Sequence, residues 1–317
     1  MNTLKSSYPP LFWPVELKED NIYVLDETLL PGKKQYIKVS TYQDACRAIK
    51  QMKTRAVGQV ILVLYTFLLI LRKNSNKKDL SPLLAKVAQA INDTRPTLSF
   101  KYLTDLVLNW HKANAPLEKC IRGFLETLKN ARIKQAMESA KLLKDGDVVL
   151  THCNVSGLLP LIAKICQKQK KVITFFATET RPYLQGARLT AWELNKAKIK
   201  VVLIADNMVA QVMKEGKIDK VIVGSDNLAQ NGDIANKIGT YQMAIIARYF
   251  KIPFYVLCPP ASRAKTGKDI KIEIRPDKEL LNFCGKRIAP KEVEGYYPAF
   301  DVTPVGLITK HIYLDIK

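Results

Sequence analysis

The hydrophobic pattern changes its period once along the chain. Up to residue 144 it is mostly helical. Apolar residues recur at three- and four-residue steps in Tyr42 to Lys53, Gln59 to Arg72, Leu83 to Ile91, Phe100 to His111 and Leu117 to Leu143, and each segment predicts a helix. Asn74 to Lys78 and Asn92 to Pro96 punctuate them. Ahead of these helices, Ile22 to Leu25 and Tyr36 to Val39 read as a short strand pair with Pro31-Gly32 at the turn.

From residue 145 onward, short apolar and β-branched runs alternate with helical segments. The predicted strands are Val148 to Thr151, Lys171 to Phe176, Lys200 to Ile204, Lys220 to Val223 and Pro253 to Leu257. Leu158 to Gln169, Gln185 to Ala197, Val209 to Glu215 and Ile238 to Phe250 fill the gaps as helices. Such alternation implies right-handed crossovers and a parallel sheet with helices on both faces. The expected fold class is therefore α/β: a mainly helical N-terminal domain, 1–144, and a Rossmann-like parallel-sheet domain, 145–317.

The 317 residues suit two modest domains, and 47% hydrophobic with 25% charged residues excludes a disordered or fibrous chain. The longest apolar run, Val60 to Leu71, is broken only by Thr66 and falls short of the roughly 20 residues a membrane span needs. It predicts a buried helix. The stretch Met1 to Asp20 lacks a charged segment followed by an apolar one, and the six cysteines (46, 120, 153, 166, 258 and 284) include no CxxC. Both observations point to the cytoplasm. Fifty Lys and Arg against 29 Asp and Glu give a net charge of +21, which raises an anionic partner. The lysines are spread along the chain without an aromatic-basic motif, so no specific nucleic-acid binding is expected.

The dinucleotide GxGxxG, the phosphate-binding GxxxxGK[ST] and the GxSxG elbow are absent, and His111, His152 and His311 have no metal-ligand spacing. Side-chain chemistry without cofactor or metal is expected. Polar residues collect where the predicted strands end: His152-Cys153-Asn154, Thr178 to Arg181, Asp206-Asn207 and Ser225-Asp226-Asn227. Open α/β sheets bind ligands at that edge. Cys153 has the rank of a small buried hydrophobe elsewhere, but between a strand and a helix its thiolate is favoured by helix amides and cations. Asp226 either fixes a turn or faces Cys153 as the other half of an acid/base pair. Asn231-Gly232-Asp233 reads as a turn, after which Asn236 is expected to cap a helix and Lys237 to stand in its first turn. That is either a solvated surface end or a phosphate site. Arg55 and Arg95 are further cationic candidates from the helical domain.

Several long segments carry a resemblance. Thr151-His152-Cys153-Asn154, Glu179-Thr180-Arg181-Pro182, the run Leu184 to Leu194, Asp206-Asn207-Met208, the stretch Val221 to Tyr241 and Pro298 to Pro304 resemble methylthioribose-1-phosphate isomerases. The wider family includes ribose-1,5-bisphosphate isomerase and the alpha, beta and delta regulatory subunits of the translation factor eIF2B. The likeness is dense from residue 145 onward and thinner through Leu25-Asp26, Leu30-Pro31 and Arg95-Pro96-Thr97. It implies an aldose–ketose isomerase of methionine salvage, converting 5-methylthioribose 1-phosphate to 5-methylthioribulose 1-phosphate as a homodimer, without metal or nucleotide. Cys153 and Asp226 would be the catalytic pair. Gln185, Asn236, Lys237, Arg95 and Arg55 would bind the sugar phosphate. Two segments depart from the pattern: Arg55-Ala56-Val57-Gly58-Gln59 stands where the family carries an Arg-Gly-Ala-Pro-Ala-Ile-Gly loop, and Val155-Ser156-Gly157 follows Asn154 where the family has small residues.

In the implied reaction a phosphate on C1 blocks ordinary opening to a free aldehyde. An acid must protonate the ring oxygen, and hydrogen must pass from C2 to C1, through an enol or by direct shift. Asp226 suits the acid and Cys153 the base or the partner in the shift. The rival readings are an isomerase of ribose 1,5-bisphosphate or 5-deoxyribose 1-phosphate, and a non-catalytic regulatory protein like the translation-factor subunits.

Overall fold

The computed structural model describes residues 8–95 and 100–316. Pro96 and Thr97 of the resemblance lie outside the described residues, as do residues 1–7 of the stretch read for a leader. Two compact units divide between Ala131 and Arg132.

The first unit opens with an antiparallel sheet of β1 (Val15–Lys18), β2 (Asn21–Leu25) and β3 (Tyr36–Val39), in that order. The sequence pattern shows the last two; β1 joins them by pairing Val15 with Val24 and Leu17 with Ile22. Then come α1 (Tyr42–Lys50), α2 (Val57–Lys73), α3 (Ser81–Asn92), α4 (Lys101–Lys112) and the long α5 (Leu117–Lys141), which runs on into the second unit. Thr41 and Asp44 form a capping box that starts α1. The apolar run becomes α2. Ile61 to Leu64 and Phe67 to Leu69 are fully buried, and the Thr66 hydroxyl donates to the Leu62 carbonyl at 2.7 Å, so the helix is apolar all round because it is central. Among the described residues no helix is long and apolar enough to cross a membrane.

The second unit alternates as the pattern predicts: β4 (Val148–Thr151), α6 (Leu158–Lys168), β5 (Thr174–Thr178), a π-turn at Gly186–Thr190 leading into α7 (Ala191–Lys196), β6 (Val201–Ile204), α8 (Val209–Lys214) and β7 (Lys220–Gly224). A hairpin of β8 (Asn227–Leu228) and β9 (Ile234–Lys237) follows, then α9 (Thr240–Tyr249) and β10 (Phe254–Cys258). The chain ends through α10 (Lys278–Leu281), the small hairpin of β11 (Asn282–Phe283) and β12 (Lys286–Arg287), then β13 (Phe300–Thr303) and β14 (Lys310–Tyr313).

Six strands make a parallel sheet in the order β14-β10-β7-β4-β5-β6. It is Rossmann-like. Val221, Val223, Phe254 and Val256 pack against Val212 and Met213 of α8 and Met243, Ala244 and Ala247 of α9. The alternate residues Ile222 and Leu257 are buried too, so both faces are covered and the strands read as continuous apolar runs. From β4 the chain steps outward to β5 and β6, then returns to lay β7 on the other side of β4. The direction of winding reverses between β4 and β7, and open α/β sheets bind their ligands at the carboxyl ends of strands where it does.

One expectation fails here. Asn236 caps no helix: it and Lys237 end β9, both buried, and α9 starts at Thr240 after Gly239. The hairpin pairs antiparallel with β13, Asn236 opposite Asp301 and Lys237 opposite Phe300. A partner that far along the chain leaves no local period, whereas Asn231-Gly232-Asp233 does make the expected turn, with Gly232 at φ 93°.

Candidate active site

Cys153 lies two residues beyond the end of β4 and Asp226 two beyond the end of β7. These are adjacent parallel strands, in register at Val149–Lys220 and Leu150–Val221. Both residues thus stand at the switch point, on the edge where ligands bind.

The thiol is held by its backbone. Cys153 has φ 63°, a left-handed conformation that a side chain other than glycine's seldom adopts. Its N–H donates to Thr180 Oγ1 at 2.9 Å, and its carbonyl accepts from the Thr190 hydroxyl at 2.6 Å. Asn154 Nδ2 donates to Thr190 Oγ1 and to Glu193 Oε1, at 3.0 and 2.9 Å, while its side-chain Oδ1 accepts the Ser156 N–H. Below this turn Arg132 and Glu193 are both buried, and the Arg132 guanidinium donates to the Ser156 carbonyl. Ser156, Thr180 and Leu184 share the positive φ, at 51°, 64° and 64°. Strained backbone gathered in one place is a mark of functional sites.

Asp226 is exposed, and its N–H donates to the Ala235 carbonyl at 2.9 Å. That bond ties the carboxylate's backbone to the residue before Asn236. The Asn236 amide donates to Thr240 Oγ1 at 2.9 Å, and that hydroxyl donates to the Lys237 carbonyl at 2.7 Å. The Lys237 ammonium lies 4.9 Å from the Phe300 ring centre and 5.9 Å from that of Tyr297, aromatic faces that steady a cation away from bulk water. Beside it, burial pushes the Asp301 carboxyl up to about 6, against the Gly239 and Tyr241 N–H groups it accepts and the charge of Lys237.

Gln185 immediately precedes the π-turn and is 4% exposed. Its Oε1 is buried without a hydrogen-bond partner among the described residues. A buried amide oxygen left open asks for a hydrogen-bond donor. The neighbouring turn is fixed tightly: a β-carbon on Gly186 would come within 1.8 Å of the Thr178 carbonyl oxygen. Asp206, after β6, accepts the Thr180 and Arg181 N–H groups at 2.7 and 2.6 Å and so holds the segment that supports Cys153. Cys258, the other strand-end thiol, is a core residue that burial pushes up to about 12.

Arg55 and Arg95 belong to the first unit. Arg55 leads into α2, and its N–H donates to Glu27 Oε1 at 3.2 Å. Arg95 points a guanidinium nitrogen at Met52 Sδ, 3.1 Å away, and at Gln59 Oε1, 3.5 Å away. Ala56, in the departing segment, adopts φ 41° and ψ −116°, backbone suited to glycine.

The fold and these positions can be set beside known proteins. Residues 55–313 match the model of the initiation factor 2 subunit family. The chain belongs to this family. Within it, the chain is 39% identical to a methylthioribose-1-phosphate isomerase of Desulforudis audaxviator, over 94% of this chain and 91% of that one. It is likewise 39% identical to the enzyme of that name from Thermosipho melanesiensis, over 93% and 91%. The solved 5-methylthioribose 1-phosphate isomerase of Pyrococcus horikoshii superposes with a TM-score of 0.83 at 32% identity, covering 97% of this chain and 93% of that one. The delta subunit of translation initiation factor eIF-2B from A. fulgidus superposes at 0.84 and 34%, covering 95% and 94%.

The support is made by Thr180 and Asp206, which lie among the polar strand ends, and by Thr190, Glu193 and Asp301, which the sequence did not single out. All but Asp206 and Asp301 are buried. Their signal in the sequence was position alone, within the quoted motifs.

Proposed function

We propose that this protein is an aldose–ketose isomerase that converts 5-methylthioribose 1-phosphate to 5-methylthioribulose 1-phosphate. The observation that carries the reading is the placement of Cys153 and Asp226 beyond adjacent strands at the switch point, in a chain 39% identical to isomerases of that name. Asp226 is the acid that protonates the ring oxygen. The C1–O bond then opens, and the hydrogen on C2 moves to C1, either as a proton taken by Cys153 or as a hydride with Cys153 assisting. The C2 hydroxyl gives up its proton to the Asp226 carboxylate left by the first step and becomes the ketone. Lys237 and Asn236 bind the phosphate end, and Gln185 Oε1 takes a sugar hydroxyl. The catalytic sheet and its loops fall in 145–317, which we treat as the catalytic domain, with 1–144 as the helical one.

The protein works in the cytoplasm in this reading, which its six free cysteines support. It forms a homodimer. Tyr241, Ile245 and Tyr249 recur at four-residue steps on α9 and are exposed, an apolar stripe that a second copy would cover. Light scattering at working concentration tests this, and a monomer contradicts it. The net charge serves solvation, and no specific nucleic acid is bound.

The likeness to the A. fulgidus subunit favours a second reading, a regulatory protein that binds a phosphosugar without changing it. One assay separates the two: incubate purified protein with 5-methylthioribose 1-phosphate, ribose 1,5-bisphosphate and 5-deoxyribose 1-phosphate, and follow ketose formation. Fastest turnover of the methylthio sugar is expected. Turnover of another sugar transfers the reading to a sibling isomerase, and turnover of none rejects it.

A further inference from the structure

His152 is 2% exposed, and both its ring nitrogens are engaged. Nε2 lies 2.8 Å from the Ile238 carbonyl oxygen, which can only accept, so this nitrogen carries the proton. Nδ1, 2.6 Å from Thr178 Oγ1, then accepts from that hydroxyl. Burial lowers the pKa of the ring, which keeps it neutral. Asp206 Oδ1 stands 4.0 Å from Nδ1, on the Thr178 side.

These contacts join three segments. Cys153 is the next residue, Thr178 ends β5, and Ile238 follows Lys237 directly. The ring also packs on Gly239, where a β-carbon would come within 3.1 Å of Nε2; with φ 105° that position suits glycine alone. The imidazole is therefore a spacer of fixed length between the turn that carries the thiol and the turn that follows the phosphate-binding lysine.

We propose that His152 is a positioning residue, setting the distance between Cys153 and the substrate end anchored at Lys237. The bridge rests on geometry, and its consequence for turnover rests on the isomerase reading above. A misplacement of about 1 Å between a reacting group and its substrate costs roughly a hundredfold in rate. Binding at Lys237 and Asn236 would outlast the loss, because β9 stays paired with β13.

The test compares His152→Asn with His152→Gln. A glutamine amide nitrogen reaches the place of Nε2 and can still donate to Ile238; the shorter asparagine amide cannot. His152→Asn should lower kcat at least tenfold with KM changed less than threefold, and His152→Gln should recover most of the loss. Cys153 gives a second readout that needs no turnover. Its rate of alkylation by iodoacetamide, followed by peptide mass spectrometry, should rise at least threefold in His152→Asn, while exposed Cys284 stays constant. Should His152→Asn fail to fold, Thr178→Val removes the donor to Nδ1 and carries the same two measurements against His152→Gln. A lower Tm in both histidine variants, with unchanged kcat per folded molecule and unchanged Cys153 alkylation, would overturn the proposal. If the unmodified protein isomerises no sugar phosphate, the proposed function falls, and the alkylation rates alone decide the bridge.

Discussion

Val155 presses on Gly224: a β-carbon at Gly224 would stand 2.9 Å from Val155 Cγ1. The turn after β4 and the end of β7 therefore touch across the switch point, with Cys153 two residues before the contact and Asp226 two after it. Gly224→Ala should wedge the two turns apart, because a β-branched side chain has little rotamer freedom to yield. Overpacking of this kind costs about 1–3 kcal/mol. Turnover should fall by about tenfold, as misplaced reacting groups do. Turnover equal to the unmodified protein's in the folded variant would show that the contact sets nothing.

Ala56 gives a test of stability in the first unit. Its φ of 41° with ψ −116° places a β-carbon where glycine alone is at ease. Such strain costs about 1–3 kcal/mol, while glycine costs about 0.5–1 kcal/mol in unfolded-state freedom. Ala56→Gly should stabilise the unit by about 1 kcal/mol, raising the urea midpoint seen by Trp13 and Trp110 fluorescence. A lowered midpoint would contradict the strain.

Glu27 links the first unit to pH. Burial pushes its carboxyl up to about 7, although it accepts from the Thr54 hydroxyl at 2.6 Å and the Arg55 N–H and feels the Arg55 charge. The folded state thus holds this proton more tightly than the unfolded chain, whose carboxyl titrates near 4.5. Stability from this group is complete below 4.5 and is lost as pH rises through about 7. Glutamine keeps the acceptor and cannot ionise. The urea midpoint of Glu27→Gln relative to the unmodified protein should therefore climb from pH 5 to pH 8. A difference that stays constant across that range would refute the shift.

The role proposed for Lys237, holding the phosphate in ground state and transition state alike, has its own kinetic signature. Lys237→Met keeps the stem that packs near Phe300 and Tyr297 and removes the charge. KM for the sugar phosphate should rise tenfold or more with kcat within about threefold, the mark of lost uniform binding. A large fall in kcat at unchanged KM would place the lysine in the chemistry instead.

The sheet was legible in the sequence because a strand buried on both faces writes a continuous apolar run, as Lys220 to Val223 and Pro253 to Leu257 do. The change of period near residue 145 separated it from the helices. The strands β8, β9, β13 and β14 were not legible. β13 and β14 lie far from their partners β9 and β10, and four residues carry too little periodicity to announce a pairing. An asparagine ahead of an apolar run has the signature of a helix cap, and at Asn236 the pairing with β13 overrides it. At the site, Cys153 and Asp226 could be placed from strand ends alone. The hydrogen bonds that Thr180 and Glu193 make to the Cys153 backbone and the Asn154 amide could not, since only the folded turn creates them.

The central claim is that Cys153 and Asp226 share the acid/base work in one crevice. It is tested most directly by the turnover of Cys153→Ser and Asp226→Asn on 5-methylthioribose 1-phosphate, each purified and checked for folding by circular dichroism. Both substitutions nearly preserve volume, so the fold should survive. General acid and base groups contribute about 10²–10⁴-fold, so each variant should lose at least about a hundredfold in kcat while still binding substrate. Near-normal turnover by either folded variant would contradict the account.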